Sequence, residues 1–293
     1  MNAARTALLS LSAAAVLAAA ACAVNPATGQ REFSLVSESQ EIAMGRQADP
    51  EIVAQMGLYP DSAVQRYVSD LGLQLAAVSE RPDLPWTFRV LDDPAVNAFA
   101  LPGGFIYITR GILTHLESEA QLVGVLGHEI GHVTARHSAS QMSRAQLAQI
   151  GLVAGMVFSE TVRDYAGVAS QSLGLLFLKF GRDDERQSDD LGLRYMTRAG
   201  YDPKQMPKVF QTFDRMHDES GRQIPNWQST HPDPADRVGR IQAQIGQLPP
   251  DLQDGKIGRE DYLRRLEGMT FGENPRHGYS VGNTFYHPDM AFK

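Results

Sequence analysis

Apolar residues recur along much of the chain with a helical period, and the exceptions are three short stretches in its first half. Val64, Tyr67, Leu71 and Leu75 share one face of a helix predicted from about Asp61 to Ala76. Leu122, Val125 and Leu126, continued by Ile130 and Val133, form a second stripe. It opens at Ser118 with Gln121 three residues on, the spacing of a capping box, and Ser37 with Gln40 repeats that spacing at the start of a first helix. Between these helices, Trp86 to Leu91, Ala95 to Leu101 and Phe105 to Thr109 alternate or run apolar around Pro102-Gly103-Gly104, which predicts a small sheet with a tight turn. A helix over Glu185 and Asp189 runs to Gly200 as its C-cap. Val238, Ile241 and Ile245 mark another, capped by Asp233-Pro234, and a last one lies near Glu260 to Leu266 before a tail of strand and loop from Gly268 to Lys293.

The second stripe carries the chemistry. His128-Glu129-Ile130-Gly131-His132 sits in mid-helix, so the two imidazoles lie one turn apart on one face and can converge on a single metal ion, with Glu129 beside them as general base. A third ligand decides whether this spacing has meaning. His137 does not fit the pattern in which glycine and histidine follow at 135 and 138, because Ala135 and Ser138 stand there. Nine residues after His128, it points to the opposite face of a continuing helix and reads as a surface residue. Glu185 is the better candidate. Its carboxylate completes a His, His, Glu set that leaves one position of a tetrahedral zinc ion open, which is the catalytic arrangement. Asp189, one turn along, can accept the outer N–H of a ligand imidazole. These residues predict water-activated peptide hydrolysis. No role is assigned to His115, His217, His277 or His287, which have no partner at ligand spacing.

Composition narrows the setting. Arg5 and the apolar run from Ala7 to Ala21 have the form of an export signal, shorter than the roughly 20 residues that span a bilayer. Ala19-Ala20-Ala21-Cys22 resembles a lipobox, so Cys22 is expected to be lipidated, and Ala23 after it resembles bacterial lipoproteins sorted to the outer membrane. The single cysteine permits no disulfide within the chain and lies far from any histidine, which speaks against a thiol nucleophile. A net charge of −7 argues against nucleic acid and against polybasic membrane contact, leaving lipid as the means of attachment. The stretch from Leu147 to Phe158 is apolar but too short to span. Helices from about Ala145 to Phe158 and from Tyr165 to Phe180 are predicted to form a hairpin beside the cleft, serving core packing, or else recognising membrane-protein clients or touching the bilayer. The expected organisation is a signal over 1–22, a tether over 23–36, one zinc metallopeptidase domain over 37–247, and a C-terminal helix and tail over 248–293.

Four motifs in order carry a resemblance. They are Asn97-Ala98-Phe99-Ala100-Leu101-Pro102-Gly103-Gly104, the His-Glu-x-x-His helix, Glu185 with Asp189, and Ser229-Thr230-His231-Pro232 followed by Arg237. Together they resemble the HtpX and CaaX prenyl protease type of zinc metallopeptidase, and within it the bacterial β-barrel assembly-enhancing branch and its lipoprotein relatives. Ser188 stands where that family usually has alanine. The resemblance implies an α+β, mainly helical zincin-like fold with a small antiparallel-containing sheet packed beside the zinc-binding helix. It implies one Zn2+ per chain, held by His128, His132 and Glu185. It further implies that His231 reaches the site, to stabilise an oxyanion or to contact the metal in a resting state. Asn97 becomes a contact for substrate backbone on an exposed edge strand, or else an ordinary strand-end asparagine in a turn. The implied activity is a gluzincin-type endopeptidase of the periplasm, attached to the outer membrane by lipid, that cleaves unfolded or misassembled envelope proteins, with the outer-membrane assembly machinery as a partner. The alternative is a zinc-bearing chaperone or assembly factor without cleavage. No tetratricopeptide-like repeat is present.

Overall fold

The computed structural model describes residues 22–25, 27–153, 180–220, 227, 231, 236–273, 279–281 and 284–286. A short antiparallel hairpin, β1 (Cys22–Val24) and β2 (Arg31–Phe33), leads into α1 (Glu38–Met56) and α2 (Ser62–Ala77). Three strands follow, β3 (Thr87–Leu91), β4 (Ala98–Leu101) and β5 (Phe105–Thr109). Next come the single turn α3 (Arg110–Leu113), then α4 (Glu119–Thr134) and α5 (His137–Val153). The rest is α6 (Arg182–Arg198), α7 (Met206–Ser220), α8 (Arg237–Gln247), α9 (Arg259–Arg265) and a last antiparallel pair, β6 (Tyr279–Val281) and β7 (Thr284–Tyr286). Most of the hairpin expected over 145–180 lies outside the described residues. Among the described residues, no helix is long and apolar enough to cross a membrane.

Local chemistry explains most of the boundaries. Ser37 and Gln40 form the full reciprocal box at α1. Asp61 caps α2 through Ala63 N–H at 2.7 Å. At α4 only half of the expected box forms: Ser118 accepts from Gln121 N–H at 3.3 Å, while Gln121 Oε1 takes the N–H of Glu117 at 2.8 Å. Gly200, at φ 79°, lies one residue past the C-cap Ala199 of α6. The cap of α8 is Asp236, and the Asp233-Pro234 pair expected there lies outside the described residues. Between β4 and β5 the chain turns at Gly103 and Gly104, with φ 83° and 96°. A Cβ on Gly103 would also lie 2.6 Å from the Ile42 Cα of α1, so the turn needs glycine twice over.

The sheet has the order β3-β5-β4, with β3 parallel and β4 antiparallel to β5, so β4 is an edge. Beside it runs α4, every residue of which is buried. A helix enclosed on all sides is central rather than amphipathic, and α4 is packed by β4, α2, α6 and α7. Its closest neighbour is α6. Added Cβ atoms on Gly127 and Gly131 would lie 3.1 Å from Gly192 O and 3.0 Å from Ser188 Cα, so small residues on both helices let the two backbones touch. That crossing brings the side chains of α6 within reach of those on α4.

Both flanks of the chain pack on this body. Residues 23–36, expected from the sequence to be a tether, hold β2, all of β1 but Cys22, and a buried Asn25, whose amide donates to Ala135 O at 2.7 Å, at the C-terminal end of α4. On the other side, the fully buried Arg110 pairs with Asp92 at 2.7 Å and donates to the carbonyls of Thr270 and Gly272, while Tyr262 donates to Leu113 O at 2.6 Å.

Candidate metal centre

His128 and His132 leave the same face of α4, and their Nε2 atoms lie 3.1 Å apart. Across the α4–α6 crossing, Glu185 comes in from the first turn of α6, with Oε2 at 3.4 Å from His128 Nε2 and Oε1 at 3.5 Å from His132 Nε2. His231 completes the group, its Nδ1 at 3.0 Å from Glu185 Oε1 and 3.4 Å from His128 Nε2. One donor atom from each of these four buried residues lies within 4.8 Å of the other three. Two or three imidazoles and a carboxylate, buried and gathered around one point, are the donor set of a divalent metal ion. The same spot holds a further sign. Both carboxylate oxygens of Glu129 are buried with no hydrogen-bond partner among the described residues, an arrangement that suits a group awaiting a water or a substrate proton.

The surroundings orient these groups. Asp189, on the same helix as Glu185, accepts from or pairs with His128 Nδ1 at 2.9 Å, on the side away from the cluster. Its charge is balanced by Arg237 at 2.6 Å and Arg240 at 2.9 Å. Arg237 is itself buried, lies 3.4 Å from Glu185 and rests over the Phe210 ring at 3.8 Å. Aromatic rings wall the site: Phe180 stacks on His132 at 3.9 Å and Trp227 on His231 at 4.3 Å. The His231 segment is tied down locally, since His231 N–H donates to Trp227 O at 2.8 Å and Trp227 N–H to Val96 O at 3.2 Å, just ahead of β4.

Burial and charge pull the titrating groups in different directions. Burial drives His128 toward neutrality, but the adjoining Asp189 and Glu185 carboxylates outweigh it and raise its pKa to about 9. For His132 burial wins, aided by the neighbouring imidazoles, and the pKa falls well below the ordinary value despite Glu185. Burial opposes ionisation of Glu185, yet His231, His128 and His132 hold it far below the usual carboxylate range. Glu129 is the exception: burial raises it, only partly offset by His231 and His128, which poises it as a proton acceptor closer to neutral pH.

The structure therefore brings together His128, Glu129, His132, Glu185, Asp189 and His231. Asn97 lies immediately before β4, with a buried side-chain oxygen that has no partner among the described residues. One expectation changes. His137 is not a surface residue: it is 3% exposed, and its Nδ1 lies 2.9 Å from His132 Nδ1. The reason is Arg136, whose φ of 57° breaks the helix, so His137 starts α5 instead of continuing α4 on its far face. Arg237, given no task in the sequence reading, is the cation under Asp189 and Glu185. Its signal was its place in the motif that opens at Ser229, which named the residue without giving it a partner.

A mainly helical α+β fold, with this His-Glu-x-x-His helix set beside the edge of a small sheet, defines a zincin-like metalloendopeptidase. The chain belongs to Peptidase family M48, whose model matches residues 62–245. Among curated relatives, a putative β-barrel assembly-enhancing protease of Vibrio cholerae is 32% identical over 65% of this chain and 41% of its own length. The mitochondrial metalloendopeptidase OMA1 of Schizosaccharomyces pombe is 33% identical over 74% of this chain and 64% of its own length. The β-barrel assembly-enhancing protease of Yersinia pestis is 29% identical over 83% and 52% respectively. The chain thus spans less than two thirds of each of these relatives.

Proposed function

We propose that this metallopeptidase is a zinc-dependent endopeptidase of the bacterial cell envelope that cleaves misfolded or misassembled outer-membrane proteins. The observation that carries the reading is the gathering of His128, His132 and Glu185 about one point, beside a buried Glu129 carboxylate with no other partner among the described residues. When bound there, zinc supplies Lewis acidity toward water and a scissile carbonyl. The chain supplies the rest. Glu129 takes a proton from the attacking water and returns it to the leaving amine, and no covalent enzyme intermediate is needed. His231, 3.6 Å from Glu129, would hold the developing oxyanion by a hydrogen bond. An extended substrate would pair with the β4 edge, with Asn97 contacting its backbone, so main-chain hydrogen bonds give grip with little dependence on sequence. Cys22 is assigned as the lipidated residue that holds the body at the outer membrane, on the strength of the preceding Ala19-Ala20-Ala21. Its partners would be unfolded substrates and the outer-membrane assembly machinery, a reading supported by bacterial relatives that are named as β-barrel assembly-enhancing proteases.

A second reading has one observation in its favour. His231 Nδ1 stands among the donors, and four protein donors would make a closed, structural type of site. A chaperone or assembly factor with latent cleavage would look the same. The test compares wild type with Glu129→Gln on an unfolded outer-membrane protein. Loss of cleavage by about 10²–10⁴-fold is expected. Equal cleavage would reject the protease reading, and unchanged support of assembly by the variant would favour the second.

A further inference from the structure

We propose that His137 and Gln187 form a hydrogen-bonded wire that fixes the tautomer and direction of His132, which makes His137 a positioning residue for the metal ion. The proposal rests on the metal-site reading above and deepens it. His132 turns Nε2 toward His128 Nε2 at 3.1 Å and Glu185 Oε1 at 3.5 Å, and turns Nδ1 the other way, to His137 Nδ1 at 2.9 Å. His137 Nε2 in turn lies 2.7 Å from Gln187 Oε1. Ser188 Oγ, at 3.4 Å from His137 Nδ1, and Asp184, at 3.9 Å from Nε2, also lie close to the ring.

Two facing imidazole nitrogens at hydrogen-bond distance need one proton between them. A ligand nitrogen must present a lone pair, so His132 can carry no proton on Nε2 and must carry it on Nδ1. That proton is donated to His137 Nδ1. The neutral His137 ring then has its own proton on Nε2, which points at an amide oxygen, an acceptor that cannot donate. Every link is thus determined from both ends. His128 is served differently, by the Asp189 carboxylate at 2.9 Å, with Arg237 and Arg240 balancing the charge. One stretch of α6 therefore provides a donor from Glu185 and the orienting groups for both imidazoles, anionic for His128 and neutral for His132. The neutral relay directs the ring without adding charge to an already acidic centre.

The geometry depends on the corner between α4 and α5. Arg136 adopts φ 57°, and its guanidinium is clamped by Glu41 at 2.7 Å and Val36 O at 2.6 Å. This turns His137 back toward the helix it has just left.

The test is zinc affinity of the full chain by chelator competition, in wild type, His137→Phe and His137→Gln, with nitrogen-labelled histidine spectra of the zinc-loaded wild type. Phenylalanine keeps the volume and removes the acceptor, and should weaken zinc binding by about 10–100-fold. Glutamine can accept from His132 and donate to Gln187, and should bind zinc close to the wild-type strength. The spectra should find His132 protonated on Nδ1. Wild-type affinity in His137→Phe, equal weakening in both variants, or an unprotonated His132 Nδ1 would overturn the wire while leaving the metal site standing. A wild type that binds no zinc would overturn the metal-site reading and the wire with it.

Discussion

Gly192 and His128 are packed so closely that a Cβ on Gly192 would lie 2.9 Å from the His128 backbone nitrogen. The contact lies in the α4–α6 crossing, and this close approach of the helices is what lets Glu185 reach the imidazoles. Gly192→Val is therefore expected to force α6 outward, at a cost of about 1–3 kcal/mol, and to weaken metal binding as well. Gly239 in α8 is the contrast, since nothing lies within 4 Å of an added Cβ there. Gly239→Ala should raise stability by about 0.5–1 kcal/mol. Urea unfolding of the two variants checks both signs.

Asp189 accepts from or pairs with His128, Arg237 and Arg240 at once, at 2.9, 2.6 and 2.9 Å. Asp189→Asn keeps the shape and removes the charge that polarises the His128 ring. Zinc affinity should fall by about 10–100-fold, and chelator competition is the measurement. Affinity equal to wild type would mean that the carboxylate has no influence on the ligand.

Metal uptake should release a proton. With a pKa raised to about 9, His128 carries a proton at pH 7 that it must lose to become a ligand, whereas His132, lowered by burial, is already neutral. The imidazole pair should thus contribute about one proton, not two, with zinc affinity rising as pH increases toward about 9 and levelling above it. Calorimetric titration in buffers of different ionisation enthalpy counts the protons.

Acid should loosen the fold through carboxylates outside the metal centre. Burial works against ionised Glu119, but Lys256, Tyr201 and Tyr67 together hold its pKa below the ordinary 4.5. Glu80 is lowered in the same way against its burial, by Tyr195 and Arg194, and Asp49 by Arg89 and Tyr107. A depressed folded pKa contributes stability that is present above the unfolded value and disappears as pH falls through the folded one. The contribution of these three carboxylates to the denaturation midpoint should therefore be flat near neutrality and decline below about pH 4.5. Glu119→Gln should lower the midpoint at pH 7 and reduce the steepness of that decline.

Legibility in the sequence followed the range over which each signal acts. Ser37 with Gln40 and the Asp61 cap are contained within a turn, and both helix starts fall where their spacing puts them. The His-Glu-x-x-His pattern is equally local, so the convergence of His128 and His132 could be foreseen. The parallel pairing of β3 with β5, which leaves the intervening β4 at the edge, could not, because strand order depends on how distant segments pack. The misplacement of His137 came from assuming one uninterrupted helix. A lone left-handed Arg136, held by Glu41 from a remote helix, has no local sequence signature. Gln121 likewise has the right spacing for a reciprocal cap but turns to Glu117 instead of Ser118. Helix α7 was readable yet went unread: Met206, Val209, Phe210 and Phe213 are all buried at helical spacing.

The most direct test of the account is the zinc content of purified protein, measured by elemental mass spectrometry for wild type and for Glu185→Ala. The account predicts about one zinc per wild-type chain and a near-complete loss in the variant, with the variant still folded by circular dichroism, since three protein ligands are what a catalytic zinc site requires. Undiminished zinc in Glu185→Ala, or a folded wild type that takes up none when zinc is supplied, would contradict it.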